Sequence, residues 1–331
     1  MGNLSVPAPY ILWFTMADQG ATLDAIRSSS KTLAASITME ASKQTYYTMG
    51  LLADQDRIQQ GFEAYAYFRW VDDRLDKDSG SRAERLNFLG RQQSILEDLV
   101  ARKNAGNLEA EEMILAELIA SDPAPDSGLR NYVRNMMQVM EFDTRRRGSV
   151  VSQAQLDIYT HHLAVAVTEL LHYLIGHGSY SPKDGSRYAA ASAAHIAHML
   201  RDSHEDADAG YYNIPREILR GASIQPDDFR HPAYQGWVKA RVQLADKLFC
   251  DARNYLSRVE SLRCRLAGFT YMSRFESVLA LIRKDNYFLR YQYPPRRTLG
   301  GVATFLGSLI RSAAQQQKLV HVPAAAPRKN T

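Results

Sequence analysis

Two acidic stretches, FRWVDDRLD at 68–76 and LRDSHEDADAG at 200–210, interrupt helical patterns at positions where apolar side chains belong. The first closes a stripe of Ile58, Phe62, Tyr65, Arg69, Asp72 and Asp76, spaced alternately by four and three residues, which is one face of a helix. The second closes a stripe of His195, His198 and Asp202, with Glu205 and Asp206 next. Carboxylates four residues apart project side by side. Their repulsion opposes the helix, and partial burial adds a desolvation cost. A single pair of this kind reads as a solvated face. Two pairs, each in line with an apolar stripe on its own long helix, imply that something positive occupies the space between them.

The remaining pattern is helical almost throughout. Helices are expected near 33–53, 55–78, 82–103, 108–120, 127–141, 152–177, 186–208, 230–261, 264–287 and 300–314. Breaks fall at SDPAPDSG, RRRGS, GHGSYSPKDG and YPPRR, where Gly and Pro punctuate the chain. Asn213 is expected to cap a short helix with Pro215 in its first turn. Alternating strand runs and hairpin turn signals are scarce. The sequence therefore predicts an all-α fold in a single helical domain at 31–314, preceded by an N-terminal segment at 1–30 and followed by a flexible tail at 315–331. A chain of 331 residues is long enough to bury a sizeable core.

Charge and cysteine usage narrow the function classes. A net charge of +4 without a basic stripe gives no case for nucleic acid. Cys250 and Cys264 are the only cysteines, which argues against a disulfide scaffold or thiolate metal site and suits a reducing, cytoplasmic setting. The run VPAPYILWF lacks the basic flank and cleavage site of a signal peptide. The run TLGGVATFLGSLI at 298–310 lies near a basic cluster; it reads as a core helix first and as a peripheral membrane contact second.

Carboxylate ligands without thiolates suit Mg²⁺, with Mn²⁺ the alternative. Mg²⁺ takes one or two carboxylates, keeps several waters and fills its other positions with phosphate oxygens. Acidic rows accompanied by Arg69 and Arg201 therefore point to a diphosphate, bridged by metal and gripped by guanidinium. A di-iron bundle would need two Glu-x-x-His motifs. Glu169-Leu-Leu-His172 is one, and no second accompanies it.

At this point the sequence resembles the squalene/phytoene synthase family of class I isoprenoid synthases. The resemblance rests on YAYFRWVDDRLD, on LRDSHEDADAGYYNIP, on SKQTYYTMGLL at 42–52 and on DIYTHHLAVAVTELL at 157–171, and spans roughly residues 35–290. It implies a helical bundle with a central cavity, three Mg²⁺ ions, and loss of diphosphate from an allylic prenyl diphosphate. Carried over, Asp72, Asp76, Asp202 and Asp206 are metal ligands, with Glu205 and Asp73 as lesser candidates. Arg69 and Arg201 match diphosphate-contacting positions. Tyr46, Tyr65, Phe68 and Tyr159 are candidates for an aromatic wall that tolerates a carbocation, and Tyr271 resembles a late cavity tyrosine. Arg296 and Arg297 read as surface charge.

The chain departs from the family pattern in two places. A Gln-x-x-Asn run entering the second motif is here His195-Ile-Ala-His198, and a glycine-bearing stretch is here LAVAVTELL, with Val165 and Thr168 in the glycine places. A β-branched residue removes backbone room that glycine provides, so the site for a second prenyl chain is expected to be narrowed or rebuilt. Two acceptors remain nearly even: a second prenyl diphosphate coupled head-to-head, or a small aromatic ring with His195 or His198 taking the proton. A cyclase acting on one substrate and a non-catalytic scaffold are the other readings.

Overall fold

A computed structural model describes residues 28–77 and 80–293. Among them there is no β-strand, only an isolated parallel bridge between Ser149 and Tyr211. The chain divides into two compact units, with the boundary after Pro125. The expected helix at 300–314, the tail, most of the 1–30 segment, Arg296 and Arg297 lie outside the described residues.

Unit 1 contains α1 (28–41), α2 (Lys43–Leu52), α3 (Ile58–Lys77), α4 (Arg82–Val100) and α5 (Ala110–Ser121). The single helix expected at 33–53 is two. Ser42 adopts an extended conformation and its side chain accepts a hydrogen bond from Thr45 N, so it caps a new helix instead of continuing the old one. α3 packs on α2 and α5. Its buried residues include Ala64, Tyr67, Phe68, Val71 and Leu75, a helical face lying one residue aside from the stripe that carries the acids. A buried polar chain ties three helices together: Tyr67 donates to Gln92 at 3.0 Å, Gln92 donates to Glu112 at 2.8 Å, and Arg91 forks onto both Glu112 oxygens at 2.8 and 2.6 Å. Glu112 is thus a buried charge with its partners in place, the condition under which such burial is tolerated.

Unit 2 contains α6 (Gly128–Arg146), α7 (Gln153–Leu174), α8 (Ala189–Asp208), α9 (Arg216–Ala222), α10 (Pro232–Ser257) and α11 (Leu262–Lys284). Ser127, Ser152 and Ser261 cap α6, α7 and α11, each accepting from the backbone N–H three residues on. α8 is the hub, packing against α7, α10 and α11. It can hold that position because Ala189, Ala191, Ala193, Ala194 and Ala197 are all buried on it, and small side chains let neighbouring helices approach from several sides. The loops that follow α6 and α8 clasp each other: Gly148 N donates to Gly210 O at 2.8 Å. Both glycines have positive φ, +74° and +86°, a conformation that costs little without a Cβ. The clasp brings Arg146 and Asn213 together.

Candidate active site

In unit 2 the acidic row grows out of the core. His195 is buried, Asp202 and Asp206 are half-buried, and Glu205 is exposed. Arg201 forks onto its neighbour Asp202, Nε at 2.6 Å and Nη2 at 2.7 Å, and His198 Nε2 lies 2.7 Å from Oδ2 of the same carboxylate. Burial pushes the Asp202 carboxyl up, but the Arg201 and His198 bonds outweigh it and hold the group well below the usual range.

Asp206 behaves in the opposite sense. Burial raises its carboxyl to about 6, with the Asp202 charge adding to the rise and the Asn213 hydrogen bond opposing it. Asn213 Nδ2 donates to Oδ2 at 2.6 Å. Two adjacent carboxyls with opposed proton affinities mark a place where negative charge is crowded.

Behind Asp206 stands a chain of buried polar groups. Asn213 is 4% exposed and does not cap α9, the role expected from sequence; Pro215 holds the cap position. The Asn213 amide oxygen accepts from Arg146 Nη1 at 3.1 Å, Arg146 Nε donates to Asp143 at 2.7 Å, and Tyr159 OH donates to the other Asp143 oxygen at 2.8 Å. The Arg146 guanidinium also lies 5.1 Å from the ring centre of Tyr159 and 5.2 Å from that of Tyr211, within cation–π range. Asp143 and Arg146 were not legible as site residues, because RRRGS reads as a break; their i,i+3 spacing at the end of α6 is the signal that was there.

His195 sits edge-on to Tyr159, ring centres 5.0 Å apart. It is 6% exposed, and among the described residues neither ring nitrogen has a hydrogen-bond partner. Burial, with His198, Arg146 and Arg241 nearby, lowers its pKa to about 3, so the imidazole is neutral and weakly basic. His198 is exposed and committed to Asp202.

In unit 1, Arg69 reaches Asp73 at 2.5 Å and Asp72 at 3.5 Å. Asp72 is partly exposed and Asp76 is exposed near the end of α3, so this row flanks the core face and does not extend it. Tyr65 is half-buried on the same stripe. Tyr46 stacks on Phe62 with ring centres 4.8 Å apart. Phe68 is 3% exposed and edge-on to Tyr67, which makes it part of the unit 1 core.

Thr168 and Tyr271 line one cavity in unit 2 together with Val167, and Val165 is not among its lining residues. Glu169 and His172, weighed above as half of a di-iron motif, are engaged elsewhere: Arg187 forks onto Glu169 at 2.6 and 3.0 Å, and His172 Nε2 is 2.7 Å from Tyr255 OH. Among the described residues no group of three or more His, Cys, Asp or Glu side chains forms a ready-made metal cage.

Comparison with known proteins gives the family and the fold. Residues 38–299 match the sequence model of the family described as Squalene/phytoene synthase. The chain belongs to the squalene/phytoene synthase family. Members of this family are prenyl-transferring enzymes that release diphosphate. Among curated proteins, a presqualene diphosphate synthase of Zymomonas mobilis subsp. mobilis is 27% identical over 208 residues, 62% of this chain and 67% of that protein. A solved dehydrosqualene synthase superposes with a TM-score of 0.65 at 16% identity, covering 89% of this chain and 99% of the other. A squalene synthase from Alicyclobacillus acidocaldarius gives 0.64 at 20% identity, covering 80% and 97%. These two structures share the fold. Among the described residues of this family member, no helix is long and apolar enough to cross a membrane.

Proposed function

We propose that this chain ionises an allylic prenyl diphosphate with the help of Mg²⁺ and transfers the prenyl group to a second prenyl diphosphate, head-to-head. The observation that carries the reading is the Asp206 carboxyl, raised to about 6 beside an ionised Asp202 and backed by the Asn213–Arg146–Asp143–Tyr159 chain. Crowded, half-buried carboxyls of this kind are suited to a hard divalent cation with oxygen ligands. Asp202 and Asp206 would hold such an ion in unit 2, with Glu205 as an outer contributor, and Asp72 and Asp76 would hold another in unit 1, with Asp73 as an outer contributor. Bound there, Mg²⁺ supplies electrostatic stabilisation of the leaving diphosphate.

The chain's own residues do the rest. Arg201, once it lets go of Asp202, presents a planar fork matched to phosphate oxygens, and Arg69 has the same capacity beside Asp72. Asn213 fixes the orientation of Asp206. Arg146 orients Asp143 by donating to one of its oxygens, and the other oxygen in turn fixes the Tyr159 hydroxyl. Burial pushes the Tyr159 phenol well above its ordinary pKa, so it stays protonated, and its face is a neutral, electron-rich wall for a developing cation. His195 stays neutral for the same reason.

A second acceptor, a small aromatic ring, draws its support from His195: a buried imidazole with both nitrogens unpartnered has spare capacity to accept a hydrogen bond from a ring hydroxyl. A pKa near 3 makes that histidine a positioning group in preference to a strong base. The test is diphosphate release from dimethylallyl, geranyl, farnesyl and geranylgeranyl diphosphates, with and without Mg²⁺ and aromatic acceptors. Mg²⁺-dependent release with a doubled prenyl product supports head-to-head coupling. Release only with an added aromatic supports the second acceptor. Absence of release under every condition refutes both.

A further inference from the structure

Unit 1 holds a cleft of about 310 Å³ that the acid rows do not use. It lies between α1, α3, α5 and the short turn Gln55–Arg57. That volume is in the range of small-molecule sites. Glu63, on α3, lines it. Nine residues separate Glu63 from Asp72, about two and a half turns of helix. The two side chains therefore leave α3 on opposite sides, and the cleft is a place of its own.

Glu63 is the unusual member of the lining. It is 2% exposed, and carboxylates are almost never buried to that degree unless paired. Its hydrogen bond comes from a neutral amide: Gln59 Nε2 donates to Oε1 at 2.9 Å. The exposed Lys31 reaches it by charge and not by a hydrogen bond. Burial pushes the Glu63 carboxyl up, and the Glu117 charge adds to the rise. A cation delivered from solution would supply the partner that the fold does not.

The rest of the lining says what kind of cation fits. Among the described lining residues, three carboxylates, Asp56, Glu63 and Glu117, face one ammonium, that of Lys31. The cleft is therefore biased toward positive ligands. Its acids do not gather around a point: no three His, Cys, Asp or Glu side chains among the described residues are placed to hold one metal ion. A hard divalent cation without phosphate needs such convergence. Carboxylates spread along a cleft suit a longer cation whose charges are spread as well. We propose that this cleft binds an aliphatic diamine or polyamine, with one ammonium bonded to Glu63 and the next held toward Glu117. Bound there, the amine ties α3 to α5 within unit 1, on the side of α3 turned away from Asp72.

Calorimetry on the full chain with putrescine and spermidine, in chelator, measures the site apart from any turnover. Wild type is expected to bind spermidine and to melt at a higher temperature in its presence. Glu63→Gln keeps the shape of the side chain and removes its charge. Ala120→Leu obstructs the cleft from an exposed position on α5 that is free to carry a larger side chain. Each is expected to weaken spermidine binding by about tenfold or more, as loss of a buried charge partner or of the space itself should. Asp72→Asn and Asp202→Asn, in the acid rows, are expected to leave it unchanged. Wild-type affinity in either Glu63→Gln or Ala120→Leu overturns the assignment. Loss of binding in Asp72→Asn or Asp202→Asn also overturns it, by placing the amine on the acid rows. Absence of binding by both amines, with or without binding of Ca²⁺ to the chelator-free protein, overturns it as well.

Discussion

Asp206→Asn separates stability from function at one atom. The Asp206 carboxyl has a folded pKa of about 6 against an ordinary 3.8. Its proton is therefore held more tightly in the folded state, and the stability that proton provides is present at low pH and lost as pH rises through 6. At 1.36 kcal/mol per unit, the ionised group disfavours the fold by about 1.6 kcal/mol at pH 5 and about 3 kcal/mol at pH 8. An amide is neutral at both. Urea unfolding of wild type and Asp206→Asn, in chelator, should show the variant's relative stability improving by about 1.4 kcal/mol between pH 5 and pH 8. Taking the difference between two pH values cancels whatever the amide costs in shape or hydrogen bonding. Prenyl diphosphate turnover should be lost at both. A relative stability that does not change with pH would refute the claim that burial strains this carboxyl.

Asp72→Asn and Asp202→Asn should each abolish diphosphate release with helical content by circular dichroism unchanged. Arg146→Ala should cost about 3 kcal/mol in urea unfolding, because it leaves the Asp143 carboxylate and Asn213 without their buried partner. Gly128→Ala should destabilise by about 2 kcal/mol and be seen as a lowered melting temperature: a Cβ there would lie 2.4 Å from the Glu169 carbonyl oxygen, and a backbone atom cannot swing aside. His195→Gln should flatten the acid limb of the stability profile. Wild-type His195, near 3 when folded and 6.5 ordinarily, binds fewer protons when folded, so stability is retained above pH 6.5 and about 2 kcal/mol is lost by pH 5. An acid limb as steep in the variant as in wild type would show that His195 is not the group responsible.

The helical fold was written in the 3.6-residue period, and helix ends followed serine caps that sequence displays openly. What sequence did not display was the effect of tertiary context. Ser42 looked like any polar residue inside a helix until its side chain turned to cap. The acid rows were legible as rows, but periodicity alone could not distinguish a core stripe from the face beside it, and α3 buries Tyr67, Phe68 and Val71 instead. Asn213 was misread because a local rule, capping, offered a complete explanation; only the clasp between two distant loops reveals its partners Arg146 and Asp206. Asp143 and Arg146 show an i,i+3 spacing at the end of α6, but their bonds to Tyr159 and Asn213 join segments far apart in the chain, and no spacing rule reaches that far.

The alanine-rich beginning of α8 carries a consequence for how such an enzyme changes over time. Ala193 is wholly buried among neighbouring helices, and Asp206 lies roughly 20 Å farther along the same rod. A methyl group added or removed at the packed end would tilt the rod and swing its carboxylates through an arc, re-aiming them with no alteration to any reacting group. New reactivity can thus be tuned from a place that bears no chemistry of its own.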